Sequence, residues 1–264
     1  MSKAKILKAF LFLAAFMGVS LTACQSAPEQ SVETETAVSP IDDATEPATL
    51  PTEMPVQTAS EPRAVMFSAA DGETLSGTLY GAGSTGIIFS NMNQGDETAW
   101  QGLPEAVQEN GYTALTYNYR TLGRSAEERA QKMEDLRAAI AFMRSEEITE
   151  IVLVGASVGG SASVKVAVEE QPVGLIVISS PMILAGLEIT ADDLQTISSS
   201  KLFLNSERDM FGTTPDSEMM FEAASEPKAM LFYSGSAHGT GLLTGEHQDA
   251  FIQQIVSFID EIAE

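Results

Sequence analysis

The sequence predicts an α/β domain with a mostly parallel sheet covered by helices on both faces. Three observations carry this. Two alternating segments around Asp71-Gly72 open the region from residue 63 as a hairpin. Short apolar runs then alternate with helical patterns up to the C-terminus. Those runs are almost continuously apolar, as strands covered on both sides must be.

Taken in order, Arg63–Ser68 and Thr74–Tyr80 are the hairpin strands, and Gly86–Ser90 is a buried strand. A helix is expected from Glu97 to Asn110, with Asp96 as its cap and Gly111 as its stop. Tyr112–Tyr119 reads as a strand. Ser125, with Glu128 three residues on, is a capping box that opens a helix to about Ser145. Ala130, Met133, Leu136, Ile140 and Met143 share one of its faces. Ile151–Val154 is a strand, Val158–Glu170 a helix, and Val173–Ser179 and Lys201–Asn205 are strands. Pro215–Ala224 is a helix, Ala229–Ser234 a strand, and Glu246–Ile262 the closing helix. Only about 20 residues separate Pro181 from Lys201, too few for a separate cap domain.

Composition narrows the function classes. The 264 residues carry 14 Lys+Arg against 37 Asp+Glu, a formal charge of −23. Phosphate neutralisation needs clustered Lys and Arg, so nucleic acid is excluded as a partner, and electrostatic docking on anionic lipid with it. One Cys and two His leave no internal disulfide and no cysteine-rich zinc site, so neither metal nor cofactor is expected.

The N-terminal part reads as an address and a tether. Lys3, Lys5 and Lys8 precede the uncharged run Ala9–Leu21, which spans only about 20 Å as a helix against a hydrocarbon core of ~30 Å. That suits the apolar part of a signal peptide, residues 1–23. Leu21-Thr22-Ala23-Cys24 resembles the bacterial lipobox, which implies lipidation of Cys24 and export to the cell envelope, with the lipid as membrane anchor. The alternatives are an ordinary cleaved signal or a short anchor. Residues 25–62 contain no Lys, Arg, Gly or aromatic residue, and prolines at 28, 40, 47, 51, 55 and 62. Such a stretch cannot bury enough apolar area to offset its ordering entropy, so residues 24–62 read as a tether and 63–264 as the folded domain. A partner-binding segment is the alternative for 25–62.

Chemistry is expected at the strand ends. Gly155-Ala156-Ser157-Val158-Gly159 fits G-x-S-x-G between a buried strand and a helix. A sharp strand-to-helix turn lifts the Ser157 hydroxyl above the sheet and aims the Val158 N–H where an oxyanion would form. The bland alternative is a glycine-rich turn without chemistry. A serine nucleophile needs a base. His238 follows the last strand in a Gly-rich loop, whereas His247 reads as a solvated residue in the first turn of the closing helix. An imidazole base needs an acceptor on its second nitrogen. Asp209, past strand Lys201–Asn205, is the candidate, and Glu207 its neighbouring rival.

With the order Ser157, Asp209, His238 and the elbow G-A-S-V-G, residues 63–264 resemble an α/β-hydrolase. The cap-free layout is similar to the dienelactone-hydrolase-like branch. Enzymes named for that branch use a cysteine nucleophile, and Ser157 shifts the expectation to esterase chemistry on a small-molecule acyl substrate. The resemblance implies a second oxyanion donor after strand Gly86–Ser90, from the backbone N–H of Met92 or Asn93. The chain reads Ser90-Asn91-Met92 there, without the family's His-Gly. Its Asn118-Tyr-Arg120-Thr-Leu-Gly123-Arg-Ser125 matches the family's Asp-x-Arg-Gly-x-Gly-x-Ser only in part, and Arg120 is expected to order a turn. Met210 and Phe211 are candidates for an acyl pocket, and Trp100 for the core or cleft rim rather than a substrate platform. A binding protein on an inactive hydrolase fold is the rival class.

Overall fold

The computed structural model describes residues 61–93, 96–121 and 123–263. The expected signal segment, Cys24 and all of the expected tether before residue 61 lie outside the described residues. Strands β1 (Arg63–Ser68) and β2 (Thr74–Tyr80) form the expected hairpin, turning where Gly72 holds φ 89°. They are followed by β3 (Thr85–Ser90), β4 (Thr113–Tyr117), β5 (Glu150–Ala156), β6 (Gly174–Ile178), β7 (Ser200–Ser206) and β8 (Lys228–Tyr233). All eight form one sheet in the order β1-β2-β4-β3-β5-β6-β7-β8. The pairings of β1 with β2 and of β2 with β4 are antiparallel, and the five from β4 onward are parallel.

The helices are α1 (Leu103–Glu109), α2 (Ala126–Ser145), α3 (Val158–Glu170), α4 (Ala191–Thr196), α5 (Thr214–Ala223) and α6 (Gln248–Ile262). Period-two alternation sends successive strand residues to two separate cores. Leu153, Leu175 and Val177 join Leu136, Ile140 and Val164 on one side, and Val152, Val154 and Ile176 join Leu103, Phe251 and Ile255 on the other. The first layer is built by α2 and α3, the second by α1 and α6. Among the described residues, no helix is long and apolar enough to cross a membrane.

Several elements depart from the sequence expectation. The single helix over Glu97–Asn110 is instead a 3₁₀ turn, Glu97–Trp100, followed by α1. Gln101 at φ 22° and Gly102 at φ 77° break the run, and Pro104 fits the first turn of the new helix, where no N–H is required. Asp96 does cap the 3₁₀ turn, accepting from the Thr98 N–H at 3.0 Å. The 181–200 connection holds α4, which its own capping box, Thr190 with Asp193, starts. On α2, Leu136, Ile140 and Met143 are buried as expected, while Ala130 and Met133 are only half-buried. Lys132 and Asp135 are fully buried there instead. Asp135 accepts from the Arg120 backbone N–H and guanidinium, and Arg120 also pairs with Asp71, so this arginine ties the loop after β4 to α2 and to the hairpin.

Candidate active site

The parallel strands end along one edge, and their register brings the predicted site residues to neighbouring loops. Ala156 pairs with Ile178 and Ser90 with Gly155, so the elbow after β5 sits between the ends of β3 and β6. Ser157 has φ 52° and ψ −120°, a conformation that costs a non-glycine residue roughly 1–3 kcal/mol and must be enforced by its surroundings. The Ser157 N–H donates to the Ile178 carbonyl at 2.8 Å, and its carbonyl accepts from Gly160 and Ser161 as α3 begins. Glycine at 155 and 159 is what permits the turn. A Cβ on Gly155 would lie 2.5 Å from the Gly159 carbonyl oxygen, and one on Gly159 would run into the carbonyls of Ser90 and Asn91. The first N–H groups of α3, Val158 among them, have no carbonyl within the helix to receive them.

Asp209 and His238 meet because β7 and β8 are neighbours. Their pairing ends at Ser206 with Tyr233, and main-chain bonds continue it into the loops: Glu207 donates to Tyr233, Arg208 to Gly235 and Met210 to Ser236. The Ser206 hydroxyl fixes the Ala237 carbonyl at 2.6 Å. His238 Nδ1 then lies 2.8 Å from Asp209 Oδ2 and 3.1 Å from Oδ1. Burial pushes the Asp209 carboxyl up, but the bond from His238 and the Phe211 N–H at 2.9 Å outweigh it and hold the group below its ordinary range. Phe211 packs edge-on against the imidazole, ring centroids 4.6 Å apart.

The rival candidates are elsewhere. Glu207 is exposed and makes no bond to either histidine. His247 is not in the first turn of the closing helix, as the sequence suggested, but at the position just before it, without a side-chain capping bond, and it is half-buried rather than solvated. Its Nε2 meets the hydroxyl of Ser234 at 2.9 Å and the Ser234 carbonyl at 3.0 Å.

Met92 and Asn93 follow β3 directly. Asn91, just before them, is 1% exposed and fully engaged. Its Nδ2 donates to the Tyr117 carbonyl at 2.6 Å, and its Oδ1 accepts from Trp100 Nε1 at 2.7 Å. Trp100 is therefore a core residue that also holds this loop.

Ser157, Val158, His238, Met92, Asn93, Met210 and Phe211 all line one cleft of about 830 Å³. Met210 and Phe211 are 68% and 70% exposed and form part of its rim. A cavity of about 300 Å³ by Arg63 and Glu146 holds none of these residues. Sequence reasoning missed the role of Asn91, which registered only as a departure from His-Gly, and it missed Arg124 and Arg129, which also line the cleft. Their position in the loop after β4 (Arg124) and the start of α2 (Arg129) was the available signal, because that loop opens on the same edge as the elbow.

The family model described as an alpha/beta hydrolase domain matches residues 93–264. The chain belongs to the α/β-hydrolase family. No curated protein matches it. Among solved structures, this α/β-hydrolase is similar to the esterase domain of a Rhodothermus marinus protein, with a TM-score of 0.60 and 20% identity over 75% of this chain and 96% of that one. It is similar to a Pyrococcus furiosus esterase, with a TM-score of 0.65 and 14% identity over 76% of this chain and 91% of that one. A dienelactone hydrolase from Anabaena variabilis gives a TM-score of 0.65 and 16% identity over 76% and 98%. At these identities the likeness is one of fold, and among the described residues the hydrolase has no cap domain over its cleft.

Proposed function

We propose that this α/β-hydrolase is a serine esterase, cleaving a small-molecule carboxylic ester through an acyl-enzyme. The observation that carries the reading is that Ser157, in its strained turn, and His238, held from behind by Asp209, line one cleft. Ser157 Oγ attacks the ester carbonyl while His238 Nε2 takes its proton. Asp209 accepts the Nδ1–H, which fixes the tautomer and stabilises the charged ring. The Val158 N–H and an N–H at Met92 or Asn93 receive the oxyanion. Collapse expels the alcohol, which leaves with the proton from His238. Water, deprotonated by His238, then releases the acid and restores Ser157.

Labelling with a fluorophosphonate tests this, because the probe needs an activated serine and not merely the fold. Wild type should label and Ser157→Ala should not. Failure of both to label would put a binding protein on an inactive hydrolase fold in first place.

Leu21-Thr22-Ala23-Cys24 supports export and a lipid on Cys24, with residues 25–62 holding the domain off the membrane. Cys24→Ala should move the protein from the membrane fraction to the soluble one. Unchanged membrane association of that variant would refute the lipid anchor.

A further inference from the structure

The charge lining the cleft is opposite to that of the molecule. The chain carries 37 Asp+Glu, yet no Asp or Glu lines the cleft among the described residues, and Arg124 and Arg129 do. Asp209 stays behind His238 with its side chain fully buried. Four other arginines of the domain pair with carboxylates: Arg63 with Glu146, Arg120 with Asp71 and Asp135, Arg137 with Glu134 and Glu169, and Arg144 with Glu170. Arg208 is exposed, lies outside the cleft lining and has no carboxylate partner among the described residues. Arg124 has no ion pair or hydrogen bond from its side chain among the described residues. Arg129 uses one corner of its guanidinium on the Ala185 carbonyl at 3.2 Å and pairs with no carboxylate there. With acids in such excess, two arginines without a carboxylate partner in the cleft that Ser157 lines are a recognition feature rather than a charge balance.

The rest of the lining mixes apolar side chains with Asn93, Gln101, Thr213, Thr240 and Thr244. Val158, Pro181, Leu184, Met210 and Phe211 face a cleft that a short hydrocarbon chain would fill. A molecule with a net charge of −23 repels anions at long range, so an anionic substrate is retained only where local cations outweigh that field.

We propose that the substrate is an amphiphilic ester with a carboxylate at the end of its acyl chain, the chain against Met210, Phe211 and Leu184 and the carboxylate on Arg124 and Arg129. This deepens the esterase reading and rests on it.

The test compares two esters of equal chain length, 4-nitrophenyl hexanoate and mono-4-nitrophenyl adipate, which differ in the terminal carboxylate. Wild type should have the higher kcat/KM for the adipate ester. The double variant Arg124→Gln/Arg129→Gln should lower the ratio of adipate to hexanoate kcat/KM by about tenfold or more, through KM, and added salt should erode the wild-type preference. Arg137→Gln, on the outer face of α2, should leave the ratio as it is. A wild-type preference for hexanoate, or an unchanged ratio in the double variant, would overturn the proposal.

Titration calorimetry with adipate itself separates this from failure of the esterase reading. Were wild type to hydrolyse neither ester, the esterase reading would fall. Adipate binding lost in the double variant would still establish the anion site, and absence of adipate binding to wild type would sink it.

Discussion

Trp100 Nε1 donates to Asn91 Oδ1 at 2.7 Å, and both side chains are buried. The bond joins the 3₁₀ turn after the loop to the first residue past β3, while Asn91 Nδ2 ties the same residue to the Tyr117 carbonyl of β4. Asn91 thus holds the backbone leading into Met92 and Asn93, the stretch proposed to supply the second oxyanion donor. Trp100→Phe keeps most of the apolar volume but orphans a buried amide oxygen, a cost of about 1–3 kcal/mol. Asn91→Ala orphans two partners and should cost more. On the proposed mechanism Trp100→Phe also lowers kcat more than it raises KM, because the loop is needed at the transition state. Urea melts and steady-state kinetics on the two variants check this. A kcat at the wild-type value in Asn91→Ala would remove the positioning role.

Asp209 and His238 form the second relationship with measurable consequences. On the proposed mechanism, Asp209→Asn keeps the shape but presents an amide to Nδ1 and favours the wrong tautomer, so kcat should fall by roughly 10⁴ while the domain stays folded. Stability should change with pH as well. The folded carboxyl titrates below the unfolded value of about 3.9, so its contribution is present above that value and lost as pH falls through the folded one. Asp209→Asn should therefore flatten the acid limb of the stability profile, measured by urea melts from neutral pH into the acid range. An acid limb as steep as wild type would show that Asp209 carries none of it.

Which parts of this arrangement were legible beforehand follows from their range. The elbow was legible because its constraints are local: the glycines at 155 and 159, a buried strand before and a helix after. Asp209 and His238 were legible because each follows a strand, and β7–β8 adjacency joins them. The break at Gln101–Gly102 was not, because helix periodicity runs through the two residues of positive φ. Lys132 and Asp135 were not, because their burial depends on the loop after β4: Lys132 donates to the Thr121 carbonyl at 2.8 Å and lies 4.2 Å over the Tyr119 ring. A polar residue on an amphipathic helix reads as solvent-facing until the segment that covers it is known.

Lys132 makes that burial testable. Desolvation pushes its ammonium down to about 8, against the attraction of Asp135 and Glu128. The unfolded chain keeps the proton up to about 10.4, so between these values the unfolded state binds more protons and stability rises with pH. At neutral pH the charged form costs on the order of 2–3 kcal/mol. Lys132→Met should flatten the alkaline rise, seen as a variant-minus-wild-type stability difference that shrinks or reverses from pH 7 to pH 10 in denaturant melts. A difference constant across that range would place the charge in water.

Gly159 couples the Ser157 turn to the opposite loop. Its α-carbon lies where β3 ends, and an added methyl would meet the Ser90 and Asn91 carbonyl oxygens, main-chain atoms that no side-chain rotation can move aside. In Gly159→Ala, therefore, either α3 moves away from β3 or the Asn91–Met92 backbone shifts, at a cost of about 1–3 kcal/mol. Both relaxations widen the gap between the Val158 N–H and the loop carrying Met92 and Asn93, the two proposed donors to the oxyanion. The expected result is a folded protein of lower melting temperature, with kcat down by 10²–10³ as when one oxyanion donor is lost. Fluorophosphonate labelling should slow with it, because the probe's reaction also builds charge on an oxygen in that position. A variant that labels at the wild-type rate despite the expected drop in melting temperature would show that the two loops act independently, and the second donor would then have to be sought away from Met92 and Asn93.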